Sequence, residues 1–467
     1  MRILSIKSAA IFLAFFCSAA FLQAQDITGQ WNGVLSVQGM NIRLVFHIEK
    51  TTESYVGKMD SPDQNVAGIP VTAVTFDGTK LSLSIPTMGI LYEGGFQADS
   101  IVGTFRQGGM SFPMTLTRTP TEIKSVRRPQ EPQPPFPYHS EDVTFENQTA
   151  GITLAGTLTM PETGSNFPAV ILITGSGAQD RNQEIFGHKP FLVIADYLTR
   201  RGIAVLRFDD RGFGQSTGNF STATTADFAT DVESAVAYLK TRREINSRKI
   251  GLIGHSEGGV IAPIVAARSR DVAFIVMLAG PGLRGDVILL QQCELIHRVS
   301  GMPEDIISAT CGVNAKIFEY IINSQEFVSL QEITEFLTGL KSEVAAIIPD
   351  GMPIDDFIRL VTAQMSSPWM QYFLRFDPAP TLEQVRVPVL AVNGSKDLQV
   401  SAKENLEAIR KALERGGNQN VTIKEYPRLN HLFQECTTGL PEKYAAIEQT
   451  FSPEVLKDIA DWILKLQ

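Results

Sequence analysis

The stretch Lys-Ile-Gly-Leu-Ile-Gly-His-Ser-Glu-Gly-Gly, from Lys249 to Gly259, decides the fold. Its first half, Lys249 to Ile253, is a short apolar run of the kind buried on both faces of a parallel sheet. Gly254 and Gly258 then bracket Ser256 as Gly-x-Ser-x-Gly, and Val260 to Arg268 continues as a helix. Strand, tight turn and helix follow one another with a serine at the apex. In so sharp a turn the residues two before and two after the serine pack almost against each other, so neither tolerates a side chain. The product is an exposed hydroxyl at the carboxyl end of a sheet, with the first N–H groups of the next helix pointing at it.

Outward from that turn, strands alternate with helices. Pro168 to Thr174, Ile203 to Phe208, Val272 to Leu278, Val387 to Val392 and Val421 to Tyr426 read as buried strands. Phe191 to Arg201, Thr225 to Arg242, Ala402 to Arg415 and Pro453 to Leu466 read as helices, and Asp142 to Phe145 with Ile152 to Thr159 as an antiparallel opening pair. This is the signature of an α/β fold with a doubly wound, mostly parallel sheet. The alternation breaks after Gly280-Pro281-Gly282, and Asp286 to Asp377 offers helices but no buried strand. An insertion there sits over the carboxyl edge of the sheet, where such folds bind ligands. The expected catalytic domain is therefore 140–282 with 380–467, and 283–379 a helical cap.

A serine hydroxyl is a poor nucleophile until a base takes its proton and a third group orients that base. Of the six histidines, His47 falls in the N-terminal region, His139 in a linker, His188 in a loop, His255 inside the turn and His297 in the cap. Only His431 follows the last parallel strand, in a loop that opens at the edge carrying Ser256. Asp397, in Asn393-Gly394-Ser395-Lys396-Asp397 after the preceding strand, stands at the same edge. The alternative for Asp397 is a turn aspartate. The chain order Ser256, Asp397, His431 is that of an α/β-hydrolase triad. An oxyanion would need preorganised N–H donors: the N–H of Glu257 is one, and Ser176 the other, with neighbouring Gly177 as the alternative. The Glu257 carboxylate either contacts a ligand or favours the helix N-terminus.

Upstream the pattern changes. Residues 25–118 hold short alternating segments, such as Gly33 to Val37, Ile42 to Ile48, Leu81 to Ile85 and Ile101 to Phe105. Turn signals at Gln38-Gly39, Asp77-Gly78 and Ala98-Asp99-Ser100 separate them, which predicts a small antiparallel β-domain, closed as a barrel or packed as a sandwich. Trp31, Phe46, Phe76, Tyr92, Phe96 and Phe112 are expected in its core. Residues 119–139 carry Pro120, Pro129, Pro132, Pro134, Pro135 and Pro137, a stiff linker. Residues 1–24 read as a secretory signal peptide cleaved near Ala24: Arg2 and Lys7, then an apolar run from Ala9 to Leu22. The expectation is an exported protein, periplasmic or secreted. The alternatives are an uncleaved anchor and a lipoprotein modified at Cys17, the latter disfavoured because Phe15 and Phe16 are bulky. Of four cysteines, removing Cys17 leaves Cys293, Cys311 and Cys436, so at least one thiol is free or bonds another chain. Cys293 and Cys311 lie in neighbouring helical segments and could pair, a geometry that sequence does not establish.

At 467 residues, 43% hydrophobic and 19% charged, the chain is globular and long enough for two or three domains. A net charge of −9 without long runs gives nucleic acid no footprint. No spacing suggests zinc, and no cofactor is called for.

From about Ser140 onward the chain resembles the α/β-hydrolase superfamily, in particular its prokaryotic carboxylesterase branch. The resemblance rests on Thr174-Gly175-Ser176-Gly177-Ala178-Gln179-Asp180-Arg181, Arg207-Phe208-Asp209-Asp210-Arg211-Gly212, Gly254-His255-Ser256-Glu257-Gly258-Gly259 and Asn430-His431. It implies a cofactor-free serine esterase acting on small-molecule carboxylic esters beneath a cap. Thr174 departs from the family, which places histidine before the oxyanion glycine. Asp209, Asp210 and Arg211 are expected to be structural. The competing readings are a serine peptidase of the prolyl-oligopeptidase or aminopeptidase kind, and an inert hydrolase-fold binding protein. Such peptidases commonly carry an aromatic residue where this chain has Glu257.

Overall fold

The computed structural model describes residues 26–466, apart from 38–39, 53, 65, 98, 108–109, 121–126, 325 and 349–351. The expected signal peptide, its cleavage site, Cys17, the Gln38-Gly39 turn and part of the linker lie outside the described residues. The chain divides into two compact units.

The first unit is a closed antiparallel barrel of eight strands in sequence order. These are β1 (Gly29–Val37), β2 (Met40–Lys50), β3 (Tyr55–Ser61), β4 (Val66–Phe76), β5 (Lys80–Ile85), β6 (Ile90–Gln97), β7 (Ser100–Gln107) and β8 (Met110–Thr117). β1 pairs with β8 to close it, Asn32 opposite Thr117, and closure removes the exposed edges a sandwich would keep. Trp31, Phe46 and Tyr92 are fully buried, while Phe76, Phe96 and Phe112 are half-buried. The two polar handles inside are satisfied: Trp31 Nε1 donates to Ile27 O at 2.8 Å, and the Tyr92 hydroxyl to Ile101 O at 2.7 Å.

The second unit is an eight-stranded sheet in the order β16-β15-β14-β13-β11-β12-β10-β9. Its strands are β9 (His139–Asn147), β10 (Ile152–Met160), β11 (Phe167–Ile173), β12 (Ala204–Phe208), β13 (Ile245–His255), β14 (Phe274–Leu278), β15 (Val389–Gly394) and β16 (Val421–Tyr426). β9, β10 and β12 pair antiparallel; from β12 through β11 to β16 the pairing is parallel. β12, β14 and β15 are buried at every position, as continuous apolar runs require when helices cover both faces. The helices on the sheet are α1 (Pro190–Arg200), α2 (Thr225–Thr241), α3 (Gly258–Arg268), then, after the cap, α10 (Ala379–Leu382), α11 (Ala402–Arg415) and α12 (Pro453–Lys465). The cap comprises α4 (Gly285–Val299), α5 (Glu304–Asn323), α6 (Leu330–Gly339), α7 (Lys341–Ala345), α8 (Ile354–Met365) and α9 (Pro368–Arg375), with its own core around Ile317, Ile321, Ile333 and Leu374.

The linker departs from its expected form. From Arg128 onward it is docked on the α/β unit: Arg128 donates to Gly187 O (2.9 Å), Ala445 O (2.8 Å) and Ile447 O (2.5 Å). Gln130 donates to Phe451 O (2.7 Å) and accepts from Thr450 N (2.7 Å). Proline fixes the backbone without donors, so the side chains between the prolines make the attachment. His139 belongs to β9 rather than to the linker.

Candidate active site

The turn after β13 has the steric form its glycines require. A Cβ on Gly254 would stand 1.9 Å from Gly258 O, and one on Gly258 2.2 Å from Ile173 O. Ser256 itself is held at φ 54°, a left-handed conformation that costs an L-residue energy and marks functional turns. Its N–H is anchored to Leu278 O at 2.8 Å, on the neighbouring strand β14. Ser256 is partly exposed, although its flanking residues are buried.

Asp397 and His431 are brought together. Asp397 lies in the turn after β15, where its Oδ1 accepts from Gln399 N (2.8 Å) and Val400 N (2.9 Å). Its Oδ2 is 2.7 Å from His431 Nδ1, and both side chains are nearly or wholly buried. A carboxylate oxygen only accepts, so Nδ1 carries the imidazole proton and Nε2 keeps its lone pair. The loop bearing His431 is shaped by Asn430, whose Oδ1 accepts from Leu432 N (3.0 Å) and Gln434 N (2.9 Å). Among the described residues no hydrogen bond joins the Ser256 hydroxyl to His431, and such bonds often tighten only once a substrate is bound.

His255, which sequence reasoning left without a role, ties the turn to that loop. Its Nε2 donates to His431 O at 2.9 Å, and its Nδ1 accepts from Gln183 at 2.7 Å. Burial pushes its pKa down to about 3, so the ring is neutral. His188 sits behind the same loop, 3.0 Å from Tyr444 O and 2.9 Å from the Gln434 amide, and burial lowers its pKa to about 4. Arg128 of the linker clasps the backbone on both sides of His188, at Gly187 and at Ala445 and Ile447.

On the other side of Ser256 stands Glu257. Its carboxylate contacts no open surface and serves no helix terminus: Oε1 accepts from Thr225 Oγ1 of α2 (2.7 Å) and Trp369 Nε1 of α9 (2.8 Å). Trp369 is set in the first turn of α9, which Ser367 caps by accepting from Met370 N and Pro368 opens. The Ser176 hydroxyl faces the Glu257 carboxylate closely enough to favour its charged form, yet not in hydrogen-bond geometry, because Oε2 is buried without a partner. Desolvation therefore dominates and raises the Glu257 pKa. Asp210 lies nearby, accepting from Thr174 Oγ1 (2.7 Å) and Gln179 N (2.9 Å); burial first, then Glu257, pushes its pKa up to about 8. Thr174 thus secures Asp210. Asp209 and Arg211 form ion pairs with Arg181 (2.8 Å) and Asp231 (2.7 Å), the structural role expected of them. A small cavity of about 20 Å³ is lined by Asp210, Glu257 and Phe228 among others.

Gly175 brings the loop after β11 against Ser256: a Cβ there would lie 3.2 Å from Ser256 Cβ. Ser176 and Gly177 are exposed beyond it, Gly177 at φ 94°. Among the described residues, none accepts from the backbone N–H of Glu257, Ser176 or Gly177. Of the apolar cap residues, Trp369 reaches the site, whereas Phe327 is 54% exposed. No group of three or more metal-ligating side chains occurs among the described residues, and no helix there is long and apolar enough to cross a membrane.

The model of the family described as serine aminopeptidase, S33 matches residues 189–352. The esterase EstD of Thermotoga maritima is 26% identical over 333 residues, spanning 71% of this chain and 70% of that protein. The uncharacterised protein YfhR of Escherichia coli K12 is 30% identical over 145 residues, 31% of this chain and 48% of that protein. Among solved structures, the Pyrococcus furiosus esterase Pf2001 superposes with a TM-score of 0.44 at 16% identity, covering 74% of this chain and 99% of that one.

Proposed function

This chain is an α/β-hydrolase carrying an additional N-terminal β-barrel, and on that premise we propose that it hydrolyses small carboxylic esters through an acyl-serine intermediate. The observation that carries the reading is the 2.7 Å bond from His431 to Asp397 at the sheet edge where the turn presents Ser256. Ser256 Oγ attacks the ester carbonyl while its proton passes to Nε2 of His431, and Asp397 stabilises the imidazolium. The oxyanion accepts from the N–H groups of Glu257 and Ser176, with Gly177 as alternative donor. His431 then protonates the leaving alcohol, and a water activated by the same imidazole frees the acid and restores Ser256.

The match to an aminopeptidase family favours a second reading, cleavage of N-terminal residues. A substrate ammonium would need an accessible carboxylate; Glu257 is buried, Asp210 is part-buried, and both are engaged in hydrogen bonds. That supports the ester reading. Parallel assays on p-nitrophenyl butyrate and on aminoacyl p-nitroanilides separate them: turnover of the ester alone is expected, and faster turnover of the anilides would overturn it. A protein binding esters without turnover would be inert. We further propose that residues 1–24 are removed on export; N-terminal sequencing of the mature protein should begin at Gln25.

A further inference from the structure

Cys293 and Cys311 sit on opposite sides of the seam between α4 and α5, the first two cap helices. The short connection between them, turned at Gly301 (φ 81°), makes these helices neighbours. Their sulfurs lie 2.9 Å apart, closer than unbonded sulfurs ordinarily rest, against a disulfide bond of about 2.05 Å. Closure by about 0.9 Å separates the two states. The surroundings suit the exchange. His297, one turn along α4, places Nδ1 at 3.5 Å from Cys293 Sγ, and Asn314 of α5 donates to the same sulfur at 3.6 Å. Both cysteines are half-buried, so neither is sealed from a small reagent.

We infer that Cys293 and Cys311 form a covalent modification site, an intramolecular disulfide that staples α4 to α5. The co-reactant is a thiol-disulfide oxidant, RSSR. One cysteine, deprotonated with His297 as acceptor, attacks a sulfur of RSSR and releases RS⁻. The second cysteine then attacks the mixed disulfide and releases the other RS⁻. One protein S–S bond forms, one small-molecule S–S bond breaks, and the two thiol protons leave on two RSH. Burial and the adjacent Cys311 thiol push the Cys293 pKa up to about 12, so it is the cysteine that needs a local base. The bond would close a loop between residues 18 apart and remove freedom from the unfolded chain. It would also fix α4 where Ile288 packs on Phe373 and Trp369, beside the Glu257 contact.

The test uses full-length protein equilibrated in glutathione buffers from fully reduced to fully oxidised, with free thiols then alkylated. Non-reducing peptide mapping should show the peptides of Cys293 and Cys311 joined, two hydrogens lighter than the sum of the reduced peptides, while Cys436 is alkylated or carries one glutathione. The oxidised protein should melt about 3 °C or more above the reduced form, and the difference should vanish in Cys293→Ser and Cys311→Ser. Alkylation of both cysteines in the most oxidising buffer, or a separate glutathione on each, would overturn the site. A bond that forms without raising the melting temperature would overturn the staple. Neither readout depends on ester turnover, so failure here is distinct from failure of the proposed reaction.

Discussion

The two flanks of Ser256 are built from opposite chemistry. On the His431 side the buried groups are neutral imidazoles, His255 and His188, hydrogen-bonded to carbonyls and amides. On the Glu257 side stand carboxyls, the buried Glu257 and the part-buried Asp210, held by two hydroxyls, an indole and one backbone amide. Burial disfavours charge on both, but charge appears at opposite ends of the pH scale. The histidines have folded pKa values below their ordinary 6.5, so their flank loses stability as pH falls from there toward about 4 and about 3. Asp210 is raised from 3.8 to about 8, so the folded state binds the extra proton, and its flank loses stability as pH rises across that window. Ser256 sits between an acid-labile wall and a base-labile one.

Ser256→Ala breaks the comparison at its centre and carries the largest expected effect. Ester turnover should fall by about 10⁴-fold or more with the melting temperature little changed, because a part-exposed hydroxyl adds little packing. Retention of wild-type turnover would refute the nucleophile.

The next effect tests whether the histidine flank depends on the linker. Arg128→Ala should lower kcat by roughly 10- to 100-fold with KM nearly constant, since misplacing a catalytic group by about 1 Å costs on that order. A chain starting at residue 127 should keep activity on small esters, and one starting at residue 138 should lose it in the same proportion. Equal activity of the two truncated chains would show that the clasp on the loops around His188 has no bearing on His431.

Stability against pH sharpens the contrast itself. Asp210→Asn should flatten the decline in unfolding free energy between pH 6.5 and 8 and, because the Asp210 window reaches down to 3.8, steepen the fall below pH 6.5. His188→Gln should do the reverse, flattening the fall between pH 6.5 and 4. Chemical denaturation across the range reads both slopes, and identical profiles for both variants would dissolve the distinction.

The smallest effect belongs to the cap. Trp369→Phe deletes the indole donor to Glu257 while keeping an aromatic ring. KM for long-chain esters should rise about 2- to 5-fold with kcat on short esters kept, the loss of about one ordinary hydrogen bond. A uniform drop in kcat for every chain length would instead place Trp369 in control of the oxyanion donor.

How much of this was legible in the sequence follows the range of the interactions. Gly254 and Gly258 are demanded by contacts within one turn, so their spacing alone announces the elbow. The buried strands announce themselves as apolar runs, and the order Ser256, Asp397, His431 follows from the strands they terminate. The barrel's alternation was readable, but closure was not, because the pairing of Asn32 with Thr117 spans the whole domain. Trp369 was visible only as one aromatic among many in the cap, since helical periodicity does not say which helix end meets Glu257, 112 residues away. Arg128 meets Ile447 across 319 residues, and a proline-rich composition gave no sign of it. Thr174 read as a departure from the family, and its reason, the hydrogen bond to Asp210, exists only in three dimensions.

The central claim is that Ser256 is the group acylated by substrate. Stoichiometric labelling with a fluorophosphonate, followed by peptide mass mapping and a parallel ester assay, tests it directly. One phosphonyl group on the peptide containing Ser256, with ester hydrolysis lost in proportion to labelling and no label on Ser256→Ala, is the predicted result. Hydrolysis that persists in fully labelled protein, or is lost with the label on another residue, would contradict it.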